Sequence, residues 1–138
     1  NIQIMGNDGA AHRLPISSLR IRDPQTGGMV HQQLFTKMLS DLYGVQARGG
    51  CACAGPYAHR LLHIDKAASQ TRRAAILSRE EIQKPGWTRL NLSVLSSDAK
   101  ADFIINAVDA LAANPYPMIT EYACDQSTAR FKAPLAAE

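Results

Sequence analysis

The sequence predicts an α+β domain, in which a small sheet of short, mainly antiparallel strands carries helices packed on one face. Short segments with alternating apolar residues, typical of half-buried strands, are separated by segments with apolar residues every three or four positions, typical of helices. Strands and helices in this order pack as layers around a shared core. At 138 residues the chain is long enough for one such domain, which we assign to residues 1–138.

Composition and charge exclude several classes of protein. A net charge of +3 without a block of like charges does not indicate a nucleic-acid partner. No apolar segment approaches the length of a membrane span, and no signal-peptide pattern opens the chain. Three cysteines, two of them one residue apart, make a poor disulfide framework, so we expect free thiols and a cytoplasmic location. The chain starts abruptly in an apolar segment at Asn1, and we expect it to belong to a longer protein.

The N-terminal part is predicted to contain two strands and the most strongly patterned helix. Asn1–Met5 carries alternating isoleucines and precedes a turn signal at Gly6–Gly9. Ile16–Ile21 contains β-branched residues in weak alternation and predicts a second strand. A helical period follows and ends at Gly44, a residue type that commonly terminates helices. The apolar face of this helix comprises Val30, Leu34, Phe35, Met38, Leu39, Leu42 and Tyr43.

The middle of the chain is predicted to begin with a short strand at Val45–Arg48. Helices are expected over residues 56–63 and 67–77. Ser78–Glu81 has the pattern of a capping box, which predicts the start of another short helix.

The last third is predicted to hold a strand, a long helix and a hairpin. Trp87–Val94 alternates as a half-buried strand, and Ser97 lies where it would cap the helix that follows. Residues 115–138 form a C-terminal tail, in which we expect Tyr122–Cys124 to pair with Ala129–Phe131. The inward residues of the strand are Leu90, Leu92 and Val94, and those of the helix are Phe103, Ile104, Ala107, Val108 and Leu111.

The segment Arg48–Tyr57, with the sequence RGGCACAGPY, has the residues of a reactive thiol site. Pro56 suits the first position of a helix, which would place Cys53 just before a helix N-terminus. The helix dipole and the charge of Arg48 would lower the pKa of the Cys53 thiol and favour its thiolate. A small buried residue in a tight turn is the competing interpretation of Cys53, and a surface cation is that of Arg48.

This segment resembles the cysteine loop of the class V aminotransferase family, which includes cysteine desulfurases and selenocysteine lyases. The shared motif, Arg-x-Gly-x-x-Cys-Ala-x-Pro, is present as Arg48, Gly50, Cys53, Ala54 and Pro56. Lys84–Asn91, followed by a capped apolar helix, is similar to the C-terminal region of the family. The family consists of fold-type-I pyridoxal phosphate (PLP) enzymes, and the resemblance covers their small C-terminal domain only.

The resemblance implies functions for residues of the loop. Arg48 would bind the α-carboxylate of an amino-acid substrate, a bidentate contact that suits guanidinium. Cys53 would be the nucleophile that takes sulfur from a PLP-bound cysteine as a persulfide. Cys51 is interpreted as a packing residue or as a resolving thiol.

The resemblance also implies what the chain lacks. PLP would be bound by a large domain of the same chain, because the five lysines of this segment lack the Ser-x-His-Lys context of the family. The segment would be inert alone, and the complete enzyme would be a homodimer. Ala52 stands where desulfurases usually have histidine, and Cys51-x-Cys53 is similar to the Cys-x-Cys loop of molybdenum-cofactor sulfurases. A cysteine-desulfurase-like lyase is favoured, and a transaminase or other PLP lyase without a catalytic cysteine stays open.

Two interpretations of another class also stay open. Cys51, Cys53, His59 and His63 have a spacing that could close a tetrahedral zinc site, with both histidines on one helical face, although the cysteine pair lacks the usual two-residue gap. The segment Tyr57–Leu90 carries seven lysines and arginines against three acids, which could bind an acidic partner or nucleic acid. On helices such charges usually form a solvated face.

Overall fold

A computed structural model describes residues 1–6, 9, 14–50 and 55–133, and it confirms the α+β class with its antiparallel sheet. Within these residues the sheet has the strand order β1-β2-β4-β3, and a separate hairpin pairs β5 with β6. The strands are β1 (Ile2–Ile4), β2 (Ile16–Ile21), β3 (Arg48–Gly50), β4 (Trp87–Asn91), β5 (Ala123–Asp125) and β6 (Arg130–Lys132). The helices are α1 (Gln32–Tyr43), α2 (Gly55–Leu61), α3 (Lys66–Leu77), α4 (Asp98–Ala113) and α5 (Tyr116–Ile119), with a 3-10 turn at Glu81–Gln83.

The main core lies between one face of the sheet and helices α1 and α4. Phe35, Met38 and Leu39 of α1 are completely buried at its centre. Full burial of such side chains stabilises a fold by about 1.5–3 kcal/mol each, so the apolar stripe of α1 is a large part of the stability. The other buried members of this core are Leu19, Ile21, Leu34, Val45, Leu90, Ala107, Val108, Leu111 and Ala112.

Both ends of α1 are fixed by specific contacts. The Nδ1 atom of His31 accepts a hydrogen bond from the Gln33 N–H at 3.2 Å and so caps the first turn. Since Nδ1 accepts, the ring proton lies on Nε2, which donates to the Ile82 carbonyl at 3.2 Å. The His31 ring also contacts that of Phe131, with centroids 5.4 Å apart. Gly44 ends the helix in the left-handed conformation, as predicted.

The opposite face of the sheet carries a second, smaller core. Because side chains alternate along a strand, Trp87 points away from the face on which Thr88 and Leu90 lie. It packs with Met5 and with Ala58 of α2, and all three are buried. Helix α2 therefore covers part of this face, which we call the second face, so helices pack on both faces of the sheet and not on one face as predicted. The other strand residues of the second face are Gln3, Ile16, Ser18, Arg20, Arg48, Gly50, Arg89 and Asn91.

Two predicted strands differ in position from the observed ones. The predicted strand Val45–Arg48 is wrong in its first three residues, because the Val45 N–H bonds to the Leu39 carbonyl of α1 and is not free for a ladder. The predicted strand that ends at Val94 stops at Asn91, since its partner β2 begins there, with Ile16 opposite Asn91. Val94 is consequently 93% exposed, where the alternation predicted it to be inward.

The helical predictions needed three corrections. Ser78 does not open a helix but ends α3, where its N–H bonds to the Ala74 carbonyl. Phe103 is 53% exposed because the buried part of α4 begins only at Ala107. The short helix α5 was not predicted. None of the helices in the described ranges has the length and apolar character that a membrane span requires.

The remaining predicted elements agree with the structure, are shifted in it, or lie partly outside the described residues. The bounds of β2 and the Ser97 cap of α4 are confirmed, and a C-terminal hairpin is present. Its strands begin one residue later than predicted, and Cys124 lies opposite Phe131, where the predicted pairing placed Ala129. Ala129 has a left-handed backbone with φ of 52° and belongs to the turn. The predicted turn at Gly6–Gly9 includes positions 7 and 8, which lie outside the described residues.

Gly86 lies so close to β3 that a larger residue should not fit. A Cβ atom at Gly86 would be 2.5 Å from the carbonyl carbon of Gly50. We expect Gly86→Ala to lower the free energy of unfolding by about 1–3 kcal/mol, measured by urea denaturation. Gly55→Ala is the matched control, because no atom of the described, non-adjacent residues lies within 4 Å of its added Cβ and alanine favours a helix. Equal effects of the two variants would contradict the close contact.

The capping role of His31 should make stability depend on pH. Burial lowers the pKa of the His31 imidazole, and the hydrogen bond to Ile82 opposes this only in part. The folded state thus favours the neutral ring, so this stabilisation is complete above about pH 6.5 and is lost as the pH falls through the lowered pKa.

We expect the free energy of unfolding, measured by urea denaturation at pH values from 7 downward, to fall less steeply in His31→Asn than in the unmodified chain. Asparagine keeps a capping oxygen but does not titrate. His59→Asn is the control. An unchanged pH dependence in His31→Asn would rule out this role of the imidazole.

Candidate functional site

Strand β3 is held in place by contacts that only glycine permits. A Cβ atom at Gly49 would be 2.9 Å from the Gln32 carbonyl oxygen, so β3 passes directly against the start of α1. The Gln33 side chain donates from Nε2 to the Gly49 carbonyl at 3.2 Å. On the other side, Gly50 pairs with Trp87 and contacts Gly86. These contacts fix the path on which the chain enters residues 51–54.

The first residue of β3 places two arginines side by side. Arg48 lies directly opposite Arg89 in the antiparallel ladder, so both side chains project from the second face. Arg48 is exposed and Arg89 is half-buried. Within the described residues neither guanidinium forms an ion pair, since the two ion pairs there join Lys37 to Asp41 and Lys84 to Glu81.

The charge of the whole sheet has one sign. The four strands of the sheet, all within the described ranges, carry three arginines (Arg20, Arg48 and Arg89) and no acidic residue. All three lie on the second face, while the core face carries apolar residues together with Ser17 and Thr88. Like charges directly opposite each other destabilise a sheet. The arrangement therefore favours an anion beside Arg48 and Arg89.

The predicted nucleophile Cys53 and its neighbour Cys51 lie outside the described residues. Their flanks are described: β3 ends at Gly50, and α2 begins at Gly55, one residue earlier than predicted. The third cysteine, Cys124, is exposed on the hairpin. Partial burial and the nearby Asp125 carboxylate raise the pKa of its thiol, which is the opposite of what a reactive thiolate needs.

No protein-family model, curated protein or solved structure matches this chain.

The described residues do not form a PLP site. All five lysines belong to the described part, and none of them is buried. Lys37 and Lys84 are neutralised by Asp41 and Glu81. A lysine that binds a cofactor covalently needs an enclosed, desolvated environment, because the neutral amine is the form that reacts.

The structure also bears on the zinc hypothesis. His59 and His63 do not share a helical face, because α2 ends at Leu61 and His63 has a left-handed backbone with φ of 52°. That part of the prediction was wrong. Among the described residues there is no group of three or more His, Cys, Asp or Glu side chains placed to hold a metal ion. Cys51 and Cys53 lie outside the described residues.

Arg89 is the site residue that the sequence alone did not identify. Alternation over Trp87–Asn91 predicts that Arg89 points away from the core, and charge counting assigns it to a solvated surface. Its position opposite Arg48 depends on strand register, which joins residues 41 positions apart. The sequence carries no direct signal for that pairing.

The two arginines should repel each other measurably. A double-mutant cycle of Arg48→Gln and Arg89→Gln should give an unfavourable coupling of about 0.2–1 kcal/mol in the free energy of unfolding. The coupling should shrink as salt rises, because ions screen the exposed guanidinium. A cycle of Arg48→Gln with Arg73→Gln on α3 is the control and should be additive. A favourable Arg48–Arg89 coupling would mean that the charges are compensated within the chain.

Proposed function

We propose that this chain is the small C-terminal domain of a PLP-dependent class V aminotransferase-like enzyme, and that the reaction is a cysteine-desulfurase-like cleavage of a C–S bond. The observation that carries the proposal is that Arg48, at the start of β3 and shortly before the cysteine segment, lies opposite Arg89 of β4, with no ion pair to either arginine among the described residues. In the proposal a large domain of the same protein holds PLP and supplies its electron-sink chemistry, and the complete enzyme is a homodimer.

Arg48 would bind the carboxylate of the amino-acid substrate. Its guanidinium is exposed at the edge strand of the sheet, where an incoming ligand can reach it. A planar guanidinium offers two parallel N–H donors that match a carboxylate. Arg89, half-buried beside it, would add positive potential without occupying the same donors. A bound carboxylate would offset the repulsion between the two residues.

Cys53 would accept the sulfur atom of the substrate. It follows β3 by three residues and precedes α2 by two, so the anchored strand carries it close to Arg48 along the chain. The positive charge of the arginine pair favours a thiolate, which is the nucleophilic form. That thiolate would attack the sulfur of the substrate, so that the S–S bond of a persulfide on Cys53 forms as the carbon–sulfur bond of the substrate breaks. The electron pair of the broken bond would stay with the substrate carbon, which PLP in the large domain would stabilise until it is protonated. Arg48 would orient the substrate for this attack.

The proposal predicts different effects for the three cysteines of the full-length protein. With an added thiol as the reductant that releases the persulfide sulfur, Cys53→Ser should abolish sulfide release from cysteine, because a hydroxyl cannot form the persulfide. Cys124→Ser is the matched control and should leave the rate unchanged, and Cys51→Ser should retain most of it. Mass spectrometry of the protein after incubation with cysteine should place the added sulfur on Cys53.

Full sulfide release by Cys53→Ser would sink the nucleophile assignment. If that variant also transferred the amino group of an amino acid to a keto acid, the transaminase alternative would take its place. A full-length protein that neither binds PLP nor acts on amino acids would remove the enzyme proposal altogether.

A further inference from the structure

A cavity of ≈190 Å³ lies where β4 begins, between the end of β2 and helix α3. Liquid water occupies about 30 Å³ per molecule, so the space is sufficient for a small polyatomic ion. Its cationic side chains are Arg20, Arg72 and Lys84, and among the described residues that line it there is no aspartate or glutamate. No residue of β3 lines it, so the cavity is separate from Arg48.

Among the described residues, one of these three cations forms an ion pair and two do not. Lys84 pairs with the Glu81 carboxylate. For Arg20 and Arg72, by contrast, the described part of the chain provides no carboxylate partner. His31 also lines the cavity, but both of its ring nitrogens are already hydrogen-bonded, one to the Gln33 N–H and the other to the Ile82 carbonyl, an arrangement that requires the neutral ring.

The surroundings strengthen the positive potential at Arg20. Burial lowers the pKa of the Arg20 guanidinium, and the charges of Arg22 and Arg72 lower it further. Arg22 is already engaged, since it donates from its guanidinium to the Gly27 carbonyl at 2.6 Å. The buried ring of Trp87 and the side chain of Leu62 form apolar parts of the wall. Reduced solvent access near such walls makes the repulsion between Arg20 and Arg72 stronger than in water.

We propose that this cavity is a binding site for a small oxyanion, a phosphate or a carboxylate group, held between the guanidinium groups of Arg20 and Arg72. Guanidinium presents planar pairs of donors that match the oxygens of both groups. The anion neutralises two like charges that the fold holds together, and the chain itself offers no described group that does so. This site is independent of the proposed function, because it shares no residue with it.

The test uses the full chain and titrates it with inorganic phosphate or with acetate at constant ionic strength. Trp87 is the only tryptophan of the 138 residues and lines the cavity, so its indole N–H resonance is a unique NMR reporter. We expect a saturable shift of this resonance and of the Arg20 and Arg72 Nε–H resonances. Arg20→Gln and Arg72→Gln should each weaken binding by roughly tenfold or more, since each removes charged hydrogen bonds.

Arg73→Gln is the matched control, because it removes the same charge from the same helix without lining the cavity. It should bind the anion as the unmodified chain does. If Arg72→Gln fails to fold, Arg72→Lys keeps the charge but not the planar donors and should still weaken binding several-fold. Tighter binding of phosphate than of acetate assigns the site to a phosphate group, and the reverse assigns it to a carboxylate. A shift that does not saturate, or one that Arg73→Gln reduces as much as Arg72→Gln, overturns the proposal as a general effect of salt.

Discussion

The burial of one apolar stripe of α1 determines where the other elements lie. Phe35, Met38 and Leu39 contact the sheet on one side, and α4 and the hairpin pack around the same helix. The hairpin is further tied to α1 by Tyr122, whose hydroxyl donates to the Asp41 carboxylate at 3.0 Å. Partial burial, followed by this hydrogen bond, raises the pKa of Tyr122 to about 12. Since β3 passes against the first residues of α1 at Gly49, the same helix also positions the candidate site.

The two faces of the sheet differ in composition. Its core face supplies apolar side chains to the packing with α1 and α4, whereas its second face carries every charge of the four described strands, all of them positive. Like charges directly opposite each other destabilise a sheet. The proposed anions beside Arg48 and Arg89, and between Arg20 and Arg72, would offset this cost. Trp87 and helix α2 pack on the same face.

Local sequence patterns predicted where helices and strands lie better than they predicted which strands and helices contact each other. The bounds of β2, the end of α1 at Gly44 and the presence of the hairpin follow from periodicity and turn residues within a few positions, whereas the register of the hairpin differs from the predicted one by two residues. Strand β3 could not be placed in this way, because Val45 is drawn into the end of α1 while two glycines of low strand preference form the ladder. The roles of Arg89, Arg20 and Arg72 depend on register and on helix packing across long sequence separations. Arg48 was found from its motif, and Cys53 lies outside the described residues.

We propose that the sheet presents Arg48 to the carboxylate of an amino-acid substrate, and a crystal structure of the full-length protein with a bound amino-acid ligand tests this. We expect the Arg48 guanidinium to donate two hydrogen bonds of about 2.7–2.9 Å to the ligand carboxylate, with Arg89 beside it. A ligand carboxylate held by other residues, with Arg48 in solvent, would rule out this role of Arg48.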